Sequence, residues 1–177
     1  CHFNQVDVFP TQVKPQYNNI ADTAAAQEVV AEFLKAWVAE DYPAMYEYLS
    51  ILSKDANPFE EFSAVYQDFA NTITLKSLET RVLSALADGT HAEVAYQVVF
   101  DTRLIGTLKR DTIASMVREV NGWRIQWEPG LIMPELKDGN RLELISQTPS
   151  RGVILDRNGA PLAGYESAIA IGLVPRD

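Results

Sequence analysis

HAEVAYQVVFDTRLIGTLKRDTIASMVREVNGWRIQW, residues 91–127, is the stretch on which the fold turns. Ala92, Val94, Tyr96, Val98 and Phe100 occupy every second position, the period that places side chains on one face of a strand. Leu104-Ile105-Gly106 then turns the chain into a second long segment, Thr107 to Val120. Asn121-Gly122 is the strongest short turn signal in the sequence, because both residue types tolerate positive φ, and Trp123, Ile125 and Trp127 alternate after it. Just upstream, Ile73 to Leu86 is rich in β-branched and apolar residues and runs into Asp88-Gly89, another hairpin dipeptide. The expectation is a meander of four antiparallel strands.

Before the meander the period is helical. From Thr23 to Glu40, Ala26, Val30, Phe33, Leu34 and Trp37 form one stripe, with Glu28, Glu32 and Lys35 off it. Asp41 precedes Tyr42-Pro43, a cap followed by proline in the first turn, so AMYEYLS is expected to be a short second helix. Asn57-Pro58-Phe59-Glu60 repeats the signal, with Asn57 read as N-cap, and Phe62, Val65, Tyr66 and Phe69 line one face of a third helix. Three helices followed by four long strands specify an α+β domain, with the helices packed on one face of a curved antiparallel sheet.

Composition bounds what such a domain does. The formal charge is −9, from 15 Lys and Arg against 24 Asp and Glu, and no basic stripe is present to neutralise phosphates, which argues against a nucleic-acid partner. The same acidity opposes adsorption to an anionic bilayer, so membrane attachment is expected only through an N-terminal anchor. The single cysteine is Cys1, which excludes an internal disulfide and any multi-cysteine metal site. A first residue other than Met points to removal of an upstream segment, and Cys1 is the candidate lipid-attachment residue of a lipoprotein, the alternative being a cloning boundary. Residues 2–22 carry two prolines, three asparagines and no periodicity, and read as an extended lead-in that holds the next domain away from a surface.

From Pro129 on the texture changes, with five of the nine prolines falling there, and this segment is read as lying outside the curved sheet. It contains RGVILDRNGAPLA, Arg151 to Ala163: a β-branched run at Val153–Leu155 and an Asn158-Gly159 turn, with Ala168 to Val174 as the expected returning strand. A bare hairpin does not require Arg151-Gly152 ahead of the strand or Asp156-Arg157 ahead of the turn.

The order of three helices and four strands resembles the NTF2-like, or cystatin-like cone, family. Arg151, Gly152, Asp156, Arg157, Asn158 and Gly159 closely resemble the signature that opens the dimerisation, or pedestal, module of class B penicillin-binding proteins. FLKAWVAEDYPAMYEYLS, EEFSAVYQDF and WRIQWEPGLIMPELKDGNRLEL resemble the N-terminal MecA-type domain of the same enzymes. The resemblance implies a lead-in over 1–22, an NTF2-like domain over 23–133, and a linker with the start of the pedestal over 134–177. It implies an extracytoplasmic, non-catalytic spacer or interaction domain in peptidoglycan synthesis, and a link to β-lactam resistance. Its partners would be the pedestal and transpeptidase domains of the same protein and other cell-wall synthesis proteins, with no cofactor. The serine motifs that do this family's chemistry, S-x-x-K, S-x-N and K-T-G, do not occur in residues 1–177, so no catalytic residue is carried over.

The alternative is a small-molecule binding or isomerase-like cone protein, for which Tyr42, Tyr46, Tyr66, His91, Tyr96, Asp101, Trp123 and Trp127 are the candidates. Tyr66 and Trp127 lie on apolar faces and read as core, and His91 as a solvated hairpin residue; His2 lies in the lead-in. No His-x-x-x-His, paired carboxylate or Ser/His/Asp set occurs at motif spacing, and Glu60-Glu61 is explained by the helix N-terminus.

Overall fold

The computed structural model describes residues 20–147, 154–155, 157, 161–163 and 168–174. Four helices come first: α1 (Ile20–Val38), α2 (Tyr42–Glu47), α3 (Ile51–Ala56) and α4 (Phe59–Thr72). A four-stranded antiparallel sheet follows in the order β1 (Leu75–Ala87), β2 (His91–Thr102), β3 (Thr107–Glu119), β4 (Gly122–Ile125). The register runs without a slip from His91 opposite Val117 to Asp101 opposite Thr107, and β4 pairs Glu119 with Gly122 and Met116 with Ile125. Gly122 has φ +104°, the conformation for which the Asn-Gly turn selects. An irregularity between Val82 and Ser84 on β1 leaves Leu83 out of the ladder and bends the strand. The helices pack against one face of this curled sheet, the NTF2-like cone.

The core is the product of the two periods read in the sequence. Val30, Phe33, Leu34 and Trp37 on α1 and Phe62, Tyr66 and Phe69 on α4 are buried against Val94, Tyr96, Val98 and Phe100 on β2. Glu28, Glu32 and Lys35 lie on the exposed side of α1, as the stripe requires.

Four expectations need correction. The helices number four, because AMYEYLS does not run on: Ser50 donates its N–H to Ile125 O at 2.8 Å and Ile125 donates to Tyr48 O at 2.9 Å, which ties residues 48–50 to the end of β4. Ser50 then caps α3, its Oγ accepting from Ser53 N at 3.2 Å. Asn57 is consequently the last residue of that turn and not the cap of α4. Its backbone N–H and its side-chain amide both donate to Ser53 O at 3.0 Å, and Pro58 takes the N-cap position. Asp41, by contrast, caps α2 as expected, accepting from Ala44 N at 3.1 Å.

The segment beyond Pro129 is also part of the packed unit. Two 3-10 turns, Pro129–Leu131 and Pro134–Gly139, bury Leu131, Ile132, Met133 and Leu136 in the same core, and Arg110 closes on Glu135 at 2.6 Å. Further on, Ala168–Val174 (β8) does return antiparallel, but onto β5 (Arg141–Gln147) over seven consecutive pairs and not onto the strand before Asn158. The partner of β6 (Ile154–Leu155) is the short β7 (Pro161–Ala163). A seven-residue strand offers β8 a full ladder, which the two residues of β6 cannot match.

Candidate functional site

A ligand site in a cone of this kind has two places to be, inside the sheet or at the open end of the helix layer. The interior is occupied by the chain's own side chains. Alternation on β2 aims Tyr96 inward, where its hydroxyl donates to Leu131 O on the first 3-10 turn. The α4 stripe aims Tyr66 inward, and Trp127 Nε1 donates to its hydroxyl at 3.1 Å. The Trp127 backbone N–H donates in turn to Ser53 Oγ at 2.8 Å, so Ser53 links α3 to the chain leaving β4. Around these bonds the rings meet at angles: Trp37 and Tyr66 at 5.2 Å and 78°, Phe62 and Trp127 at 5.3 Å and 68°, Phe69 and Phe100 at 5.1 Å and 63°. Edge-on arrays of this spacing fill volume densely.

The electrostatics follow from burial. Desolvation pushes the Tyr66 phenol well above its ordinary pKa, with the Trp127 hydrogen bond pulling the other way and the neighbouring Tyr42 adding to the rise. Tyr96 is raised by the same loss of water and by Tyr66. Both are therefore protonated hydrogen-bonding groups at neutral pH and poor general bases. Among the described residues the buried carboxylate is Asp22, at the far end of α1 from Trp37, roughly 20 Å along the helix axis. It faces Arg118 of β3, whose guanidinium donates to it and lies 5.7 Å from the centre of the Trp123 ring.

The open end holds a cleft of 560 Å³ between the C-terminus of α1, α4 and the start of β1, lined by Trp37, Glu40, Tyr42, Gln67, Phe69 and Lys76 among others. Glu40 enters it from a left-handed backbone, φ +57°, and the Tyr42 phenol is raised by partial burial and by the Glu40 charge. Lys76 is held by Asp101 at 3.1 Å. Its lining mixes polar and apolar side chains.

The candidates from the sequence thus scatter. Tyr66 and Trp127 meet inside as a hydrogen-bonded aromatic pair, as their core reading requires, and Tyr96 is buried with its hydroxyl on Leu131 O. Tyr46 is half-buried and donates to Asn57 O at 3.0 Å and Lys54 O at 3.2 Å, a brace on α3. Trp123 is buried beneath Arg118, and Asp101 serves Lys76. His91 is exposed at the start of β2, beside Asp88, whose carboxylate accepts from the His91 and Thr90 N–H groups and is held below its usual pKa by them. Sequence reading did not single out Ser53, for which the only signal was the Ser50-x-x-Ser53 spacing. Of the signature residues, Arg157 is exposed in a turn. Arg151, Gly152, Asp156, Asn158, Gly159 and Cys1 lie outside the described residues. Among the described residues there is no cluster of three or more metal-ligating side chains, and no helix is long and apolar enough to cross a membrane.

Residues 25–140 match the model of the NTF2-like N-terminal transpeptidase domain. The chain is 24% identical over 160 residues to penicillin-binding protein 3 of Bacillus subtilis, a match that covers 86% of this chain and 24% of that protein. Solved structures similar to it include an uncharacterized cystatin fold protein from Novosphingobium aromaticivorans, with a TM-score of 0.44 at 14% identity, covering 58% of this chain and 96% of that one. A member of the NTF2-like family from Streptomyces avermitilis has a TM-score of 0.44 at 10% identity, covering 59% and 91%.

Proposed function

The chain belongs to the family of NTF2-like N-terminal transpeptidase domains, and from that membership we propose that it is the non-catalytic spacer and interaction domain of a penicillin-binding protein, acting outside the cytoplasmic membrane in peptidoglycan synthesis. One observation carries the reading. The interior that a catalytic cone would leave open is closed by Tyr66, Trp127, Tyr96, Phe62 and Phe100, with both buried phenol hydroxyls engaged in hydrogen bonds. A cone filled in this way works as a rigid body that sets distance and orientation. The chain spans 24% of the length of the curated relative it matches, so the D,D-transpeptidase chemistry is assigned to segments beyond Asp177, and the pedestal and transpeptidase domains of the same protein are its proposed partners. The signature at Arg151–Ala163 supports a pedestal starting there.

A fluorescent penicillin tests this. The reading frame continued past Asp177 is expected to carry S-x-x-K, S-x-N and K-T-G and to be labelled covalently, while residues 1–177 alone stay unlabelled. Deleting residues 25–140 from the longer protein is expected to leave labelling intact and to abolish rescue of wall growth in a cell lacking it. Labelling of residues 1–177, or a frame that ends without those motifs, overturns the proposal.

A further inference from the structure

The four most exposed large apolar side chains among the described residues are Val120, which is fully exposed, Ile20 at 83%, Leu52 at 75% and Ile51 at 62%. They come from three separate elements, yet two polar contacts bring them to one end of the molecule. Arg118 pairs with Asp22, which sets the first turn of α1, carrying Ile20, beside the end of β3. One residue on from Arg118, Glu119 Oε1 accepts from Ile51 N at 2.9 Å, which sets the start of α3, carrying Ile51 and Leu52, beside the same strand end. Val120 follows directly at the β3–β4 turn. Arg118 N donates to Thr90 O at 2.9 Å, so the β1–β2 turn is at this end too, with exposed Leu86 just before it. Two helix starts and a hairpin tip thus present aliphatic side chains outward together.

We infer that this end of the domain is a membrane-contact surface, where Val120, Ile20, Ile51 and Leu52 enter the outer part of a lipid bilayer. The inference rests on the extracytoplasmic placement proposed above. Three features favour lipid over protein as the occupant. The group is wholly aliphatic, whereas the anchors of protein interfaces are enriched in Trp, Tyr and Arg and poor in Leu and Val. Four aliphatic side chains fall well short of the roughly 800 Å² per partner that a stable dimer buries. Residues 1–19 join the fold at Ile20, within the patch, so an anchor anywhere N-terminal to Ile20 brings this end to the surface first. The chain's charge of −9 makes hydrocarbon contact the driving force, so anionic lipid is expected to give no gain.

Because Cys1 is the single cysteine, the full 177-residue chain can be coupled there to a maleimide lipid in phosphatidylcholine vesicles, with a chain capped by a soluble thiol reagent as reference. Amide hydrogen exchange over residues 49–53 and 118–122 is expected to slow at least threefold on the vesicles, and over 103–106, at the opposite end of the sheet, to stay unchanged. The double variant Leu52→Asp, Val120→Asp, both at exposed positions, should lose the slowing, while Leu104→Asp should keep it. Equal exchange on vesicles and in solution overturns the inference, as does slowing that survives in the double variant. So does slowing without vesicles that tracks a dimer in sedimentation, which would make a second copy the occupant. The coupling is chemical, so a failure here is separate from a failure of the cellular placement, which protease access in intact cells tests.

Discussion

At the scale of single residues, Tyr66 and Ser53 each accept a hydrogen bond from Trp127 in the interior, at 3.1 Å from Nε1 and 2.8 Å from the backbone N–H. A buried donor stripped of its acceptor costs about 1–3 kcal/mol, more than the net gain from forming the bond. Tyr66→Phe and Ser53→Ala are each expected to lower stability by about that amount in urea titration with an unchanged m-value, and a loss under about 0.5 kcal/mol would show that Trp127 repacks. The buried phenols also predict a pH dependence. Tyr66 and Tyr96 have pKa values raised above the ordinary 10.0, so above that pH the unfolded chain releases protons that the native chain retains. Their contribution is complete below pH 10 and is lost as pH rises beyond it, by about 1.4 kcal/mol per unit for each group. In a tyrosinate absorbance titration, Tyr66 and Tyr96 should ionise only with unfolding. Their early ionisation would contradict the closed interior.

At the scale of elements, two helices end on residues whose backbones are left-handed without being glycine. Glu40, φ +57°, closes α1 in a Schellman arrangement, with Glu40 N donating to Trp37 O and Asp41 N to Ala36 O, both at 2.9 Å. Thr74, φ +52°, follows α4, is β-branched, and has a buried hydroxyl with no partner among the described residues. The left-handed conformation costs an L-residue about 1–2 kcal/mol, and glycine avoids it at some entropic expense. Glu40→Gly is expected to stabilise by about 0.5–1 kcal/mol and Thr74→Gly by more, since it also removes the unpaired hydroxyl. By calorimetry this is a rise in Tm of a few degrees, with Thr74→Gly the larger. Equal or reversed changes would show that the side chains make up the difference elsewhere.

These same elements show where the sequence was readable. The β2 alternation and the α1 stripe were plain because one face of each is buried, and periodicity reports burial. Asn57 misled because an Asn side chain can serve a helix at either end, its Oδ1 accepting at an N-cap or, as here, its Nδ2 donating to the Ser53 carbonyl at a C-terminus, and only the tie between residues 48–50 and Ile125 starts the extra helix that ends there. The pairing of β8 was unreadable for a related reason. Register between distant strands is a choice among partners, and local turn chemistry at Asn158-Gly159 says nothing of β5. The candidate site was legible only as core: aromatic residues at apolar positions announce burial, but not which hydroxyl meets which indole.

For the whole molecule, the decisive question is which length of chain makes the cone a rigid body. The change in texture at Pro129 suggests that the cone ends with β4, yet Leu131, Ile132, Met133 and Leu136 are buried in its core, and Leu131 O receives the Tyr96 hydroxyl. Burying an aliphatic side chain contributes about 1.5–3 kcal/mol, so these four together supply about 6–12 kcal/mol of gross burial, comparable to the entire net stability of an ordinary domain. A chain cut after Glu128 would also leave the Tyr96 phenol facing an opened cavity. It is therefore expected to lose cooperative thermal unfolding, to bind a hydrophobic dye and to show no near-ultraviolet dichroism from its tryptophans, while a chain cut after Asn140, where the match to the domain family ends, should keep a single sharp transition. Were the shorter chain to melt as sharply as the longer one, the two 3-10 turns would be a cover on a finished cone, and the closed interior from which a non-catalytic role is argued would be a lid that opens.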